Sequence, residues 1–168
     1  MESTKNSAWE AYRNTFSGEA AMFDLAREGN LEALKKTIPL VQNLEERTER
    51  GYTILMLSAY KGHLDVTRLL IEAGADVNTT DDSGNSVLMG VAFKGHRDVA
   101  RALLNGGANP NYTNHRGQNA LQFAEMFGRR DLADLLSSTQ QIERSWILRR
   151  LQSWFNAIFY SRKQKEAV

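Results

Sequence analysis

Apolar and polar positions along this chain fall into short blocks that return at a fixed interval. Ile54-Leu-Met-Leu-Ser-Ala-Tyr-Lys61 lies between Thr53 and Gly62, and Val87-Leu-Met-Gly-Val-Ala-Phe-Lys94 between Ser86 and Gly95. Each block predicts a short helix of about ten residues, with a hydroxyl residue at the N-cap and a glycine suited to positive φ at its end. A second helix follows each time. Leu64, Val66, Leu69 and Leu70 share one face of the first such helix, echoed by Val99, Leu103 and Leu104 in the next, and Gly74 and Gly107 close them. Asp76-Val-Asn78 and Asn109-Pro-Asn111 then predict the start of an extended hairpin, with polar tips at Asp81-Asp-Ser83 and Asn114-His-Arg116.

The glycines keep the period. Gly18, Gly51, Gly84 and Gly117 are spaced by 33 residues, as are Gly29, Gly62, Gly95 and Gly128, and Gly74 and Gly107 form a third series. Ten of the twelve glycines therefore sit on one lattice, which is the mark of a repeat architecture. A degenerate first unit spans about 18–50, and 51–83, 84–116 and 117–137 follow it. The shared motifs are Gly51-Tyr-Thr-Ile-Leu55 with Gly84-Asn-Ser-Val-Leu88, Ala59-Tyr-Lys-Gly-His63 with Ala92-Phe-Lys-Gly-His96, and Gly74-Ala-Asp-Val-Asn78 with Gly107-Ala-Asn-Pro-Asn111. Together they resemble the ankyrin repeat over roughly 120 residues. The resemblance implies an all-α solenoid of helix-turn-helix-hairpin units that binds other proteins. It departs from the family pattern where Pro-Leu-His is expected, since the chain has Ile54-Leu-Met56, Val87-Leu-Met89 and Ala120-Leu-Gln122. Pro is favoured but not required in a first helical turn, so that change costs little. The capping bond usually given by the His must be absent or replaced. The run Leu88–His96 is also similar to small bacterial ankyrin proteins, including those associated with catalase. That likeness implies an accessory or inhibitory role toward one bacterial enzyme.

No single unit can bury its apolar face, but stacked neighbours can. Leu55, Leu88 and Leu121, with Met22 in the first unit, are expected to form one buried column, and Val66, Val99 and Leu132 another.

Composition narrows the function. The chain has 168 residues, 42% apolar and 24% charged, with mean hydropathy −0.47, no Cys and net charge +1. Absence of Cys excludes a disulfide scaffold, a thiolate zinc site and a cysteine nucleophile. No apolar run is long enough to span a bilayer. The start, Met1-Glu-Ser-Thr-Lys-Asn-Ser7, has no secretory signal, so a cytoplasmic protein is expected. Residues 1–137 carry 15 basic and 18 acidic side chains, whereas 138–168 carry six basic and two acidic. The near-neutral total argues against a nucleic-acid partner, and the basic end suggests a separate role.

No catalytic constellation is legible. His63 and His96 recur with the repeat, which suits a turn-stabilising residue better than a ligand, and His115 stands alone at a loop tip. Gly90-Val-Ala-Phe-Lys-Gly95 looks like a phosphate loop only superficially, because His96 follows where Lys-Ser/Thr is needed. Asp81-Asp82 and Glu45-Glu46 read as solvated loop carboxylates. An enzyme, a cofactor and a metal site are not expected.

Binding is the alternative. In ankyrin-like units the variable surface comprises loop tips and the solvent side of the first helix. Here it maps to Tyr52, Tyr60 and Lys61, then Asp82, Asn85, Phe93 and Lys94, then His115, Arg116, Gln118, Met126 and Phe127, with Glu49, Arg50 and Ser83 beside them. Tyr60, Phe93 and Met126 share one register position, which predicts a stripe with a unit-to-unit spacing of about 10 Å. Such a stripe reads as a protein-binding groove, or as rings folded onto the neighbouring helix or onto the C-terminal tail.

The ends differ from the middle. Ile147, Leu148, Leu151, Trp154, Phe155, Ile158 and Phe159 fall on one face of a predicted helix within 138–168, opposite Arg149, Gln152, Asn156 and Arg162. With Trp146, Arg150 and Lys163 this basic amphipathic segment fits three roles: a cap on the last unit, a helix lying on an anionic membrane, or a docking segment for a partner. Trp9, Tyr12 and Phe16 predict a matching helical cap over 1–17.

Overall fold

The computed structural model describes residues 18–41, 43–141, 145–147 and 150. Over these it forms four helix pairs: α1 (Gly18–Glu28) with α2 (Leu31–Thr37), α3 (Ile54–Lys61) with α4 (Leu64–Glu72), α5 (Val87–Lys94) with α6 (Arg97–Asn105), and α7 (Ala120–Met126) with α8 (130–141). A 3₁₀ turn at Ile38–Leu40 extends α2. The first helices stack in one row, α1 on α3 on α5 on α7, and α2, α4 and α6 form a second row behind them.

Local chemistry sets each first helix. The Thr53 and Ser86 hydroxyls accept from the Met56 and Met89 N–H groups, at 3.3 Å each. Asn119 does the same in the last pair and adds what its predecessors lack. Its side chain accepts from the Gln122 N–H at 3.0 Å, while Gln122 Oε1 accepts from the Asn119 N–H at 2.8 Å, a complete capping box. Gln122 thus supplies a capping side chain at the position where the family pattern has His. The helices end at Gly62 and Gly95 with φ of 85° and 88°, where a Cβ would be strained.

Burial follows the expected columns with one exception. Leu55 and Leu88 are fully buried with Met22 above them, and so are Val66, Val99 and Leu132. Leu121 is only half-buried. The reason is visible one turn away. Ala26, Ala59 and Ala92 are wholly enclosed by the next layer, but the equivalent residue in α7 is Glu125, which is exposed. The expected extended hairpins are also shorter than anticipated. Among the described residues the loops contain one isolated antiparallel bridge, Thr80 with Ser86, and no longer strand. Side chains take over the pairing. Asn78 Oδ1 accepts from the Asn109 N–H and Asn114 Nδ2 donates to Asn85 Oδ1, both at 2.8 Å and both between successive units.

At the C-terminal end α8 runs through 130–141, and the buried Gln140 donates from Nε2 to the Pro110 carbonyl at 3.0 Å. Beyond it Trp146 and Ile147 are 71% and 58% exposed, and Arg150 is exposed. Arg149, Trp154, Phe155, Phe159, Arg162 and Lys163 lie outside the described residues, as does the expected N-terminal cap. No helix among the described residues is long and apolar enough to cross a membrane.

Candidate protein-binding groove

The 33-residue period brings Tyr60 and Phe93 into one row along the first helices, and a third ring joins them. Tyr60 at the end of α3 and Phe93 at the end of α5 stack with centroids 6.2 Å apart and planes within 7° of parallel. Phe127, just past α7, meets Phe93 edge-on at 4.5 Å. The spacing is therefore tighter than the expected 10 Å, because each ring leans along the stack toward its neighbour. The third ring is also one residue later than register alone implies. Met126 is 59% exposed, whereas Phe127 closes the row and packs on Phe123. Lys94 extends along the row with Nζ 4.7 Å from the Tyr60 centroid and 5.7 Å from that of Phe93, a cation–π arrangement.

A groove of about 730 Å³ opens beside these rings. Tyr60, Phe93 and Lys61 from the helix ends line it together with Arg50, Tyr52 and Asn85 from the loops. Its lining also holds three residues outside the expected binding surface. Leu57, Gly90 and Phe123 occupy one register position in successive units, and all three line the groove. Gly90 belongs to none of the three glycine series of the lattice, and that irregularity was the available signal. The other expected residues lie around the groove rather than in it. Asp82 packs over Gly51, His115 over Gly84, and both are exposed, as is Arg116. Gln118 is half-buried and accepts from Asn114 Nδ2 at 3.4 Å.

The recurring histidines turn out to join units to one another. His63 Nε2 donates to the Arg27 carbonyl of the preceding unit at 2.8 Å. His96 bonds the Tyr60 backbone in the same way. In the last unit Arg129 replaces the histidine, and its Nε donates to the Phe93 carbonyl at 3.2 Å. Each of these side chains lies directly over the glycine that ends the preceding first helix, Gly29, Gly62 and Gly95 in turn. The staple thus holds the carbonyl of Arg27, Tyr60 or Phe93, and so positions the ring row. Burial pushes the His96 imidazole below its ordinary pKa; the nearby charges of Lys94, Arg129 and His63 push the same way, against the Tyr60 hydrogen bond. Among the described residues no three His, Cys, Asp or Glu side chains are grouped to hold a metal ion.

A family model described as ankyrin repeats (3 copies) matches residues 22–114 and 73–145. The chain belongs to the ankyrin-repeat family. Ankyrin repeats are generally protein–protein interaction modules and generally not enzymes. Among curated proteins, none matches this ankyrin chain.

Proposed function

We propose that this protein is a non-enzymatic adaptor or regulator that holds a protein partner in the groove beside Tyr60 and Phe93. The ankyrin domain over 18–137 carries the groove, and 1–17 and 138–168 flank it in the sequence. The observation that supports this reading is the ring row. Tyr60 remains 38% exposed although a stacked partner ring lies against it, and a lysine is drawn over both rings. Aromatic rings at the edge of an apolar recess are the usual anchors of protein interfaces. Alanine at Tyr60 and Phe93 should abolish capture of the partner in a tagged pulldown while leaving the thermal unfolding curve nearly in place. Capture that survives both substitutions overturns the reading. The same pulldown identifies the partner, and a bacterial enzyme such as catalase is the candidate that the likeness of 88–96 supplies.

A second reading rests on Trp146 and Ile147, two large apolar side chains left in solvent beside the exposed Arg150. An amphipathic segment of this kind would lie on an anionic membrane and make the protein a membrane-peripheral adaptor. Flotation with vesicles containing phosphatidylserine, lost on deletion of 138–168, is the expected result; flotation unaffected by the deletion rejects it.

A further inference from the structure

Gly90 has no backbone reason to be glycine. It sits inside α5, and it is absent from the positive-φ residues that govern the turns. Packing does not demand it either, since a Cβ there would meet only Tyr60 Cδ2, at an ordinary contact distance of 3.4 Å. A mid-helix glycine is nevertheless less favourable than alanine. What it provides is space. Leu57 and Phe123 fill the same register position on either side, so the missing side chain leaves a seat in the groove floor between them, walled by Tyr60 and Phe93.

The groove lining carries three basic side chains, Arg27, Arg50 and Lys61, against two acidic ones, Glu49 and Asp81. Of the two carboxylates that line the groove, Asp81 accepts from the Ser83 and Asn85 N–H groups and from Asn85 Nδ2. Glu49 lies next to Arg50 at the loop end. Arg27 is held by Asp24 at 2.7 Å. Lys61 lines the groove and Lys94 lies over the Tyr60 ring that borders it, and neither enters an ion pair among the described residues.

Building on the groove reading above, we propose that the Gly90 seat receives one apolar side chain of a partner segment whose acidic residues lie against Lys61 and Lys94. The partner is an acidic peptide segment with a leucine- or phenylalanine-sized anchor. The chain's own C-terminal segment has the wrong sign for this site, with six basic and two acidic residues over 138–168.

The test is selection of a random twelve-residue peptide display library on the full chain, followed by binding measurements with the enriched peptides. Enriched sequences should place acidic residues within a few positions of a recurrent Leu, Phe or Trp. Gly90→Leu, which fills the seat with a good helix former, should weaken them about tenfold or more, as loss of a central anchor does. Lys61→Glu and Lys94→Glu should each weaken them about two- to fivefold or more, with a loss that shrinks at high salt. Circular dichroism of Gly90→Leu, expected to match the parent, separates a filled seat from a damaged fold. Peptides that need Tyr60 and Phe93 but tolerate Gly90→Leu, or that carry basic flanks, overturn this proposal and leave the groove reading standing. A selection in which nothing depends on Tyr60 and Phe93 overturns both. Displacement of the enriched peptides by a synthetic peptide of residues 138–168 would put the chain's own tail in the seat, and also overturns it.

Discussion

Two glycine-to-alanine substitutions, identical in chemistry, should move stability in opposite directions. At Gly90 the backbone is helical and the new methyl stands 3.4 Å from Tyr60 Cδ2, an ordinary van der Waals contact. Only the helix-propensity difference then acts, and Gly90→Ala should stabilise by about 0.5–1 kcal/mol. At Gly62 φ is 85°, and a Cβ would stand 2.8 Å from His96 Cε1. Forcing alanine into the left-handed region costs about 1–2 kcal/mol. Displacing the His96 ring also loosens its bond to the Tyr60 backbone, for about 1 kcal/mol more. Gly62→Ala should therefore destabilise by about 2–3 kcal/mol. Urea titrations followed by circular dichroism measure both variants. The midpoint should rise for Gly90→Ala and fall for Gly62→Ala, with the slope unchanged, so that each shift reports stability and not a change in the unfolded state. A lower midpoint for Gly90→Ala would refute the reasoning, because it would mean that Gly90 is required by packing and is not an open seat.

Two further outcomes follow from the same geometry. Asn119→Ala removes the bond that Asn119 Oδ1 accepts from the Gln122 N–H and keeps the one from its own backbone N–H to Gln122 Oε1; it should cost about 1 kcal/mol by urea titration, and a midpoint unchanged from the parent would show that α7 needs no cap. His96 is held below its ordinary pKa, so the unfolded chain takes up its proton first as pH falls. Its contribution to stability is complete above the unfolded value of about 6.5 and is lost progressively below it. His96→Gln should accordingly give a flatter stability profile between about pH 7 and pH 5 than the parent, and parallel profiles would refute the assignment.

Most of the architecture was legible because an ankyrin unit is specified locally. Thr53 and Ser86 stand where an N-cap is needed, Gly62 and Gly95 where φ must be positive, and each requirement repeats every 33 residues. The groove was legible only in part. Tyr52, Tyr60, Lys61, Asn85 and Phe93 were found from register, and they line it. Leu57 and Phe123 carry no signal in the sequence that sets them apart from other apolar helix residues, and the phosphate-loop likeness around Gly90 is removed by its helical setting.

Repeat number, element type and the equivalence of Tyr60, Phe93 and Met126 needed nothing beyond the order of residues, since all three depend on spacing along one chain. The choice of Phe127 over Met126 as the third ring, the lean that brings Tyr60 within 6.2 Å of Phe93, and the substitution of Arg129 for a histidine staple depend on contacts across layers. So does the half-exposure of Leu121, which has the same local sequence role as Leu55 and Leu88 but lies in the last described layer of the stack. Side-chain direction and burial are set by what packs against a residue, and that neighbour lies a full period away along the chain.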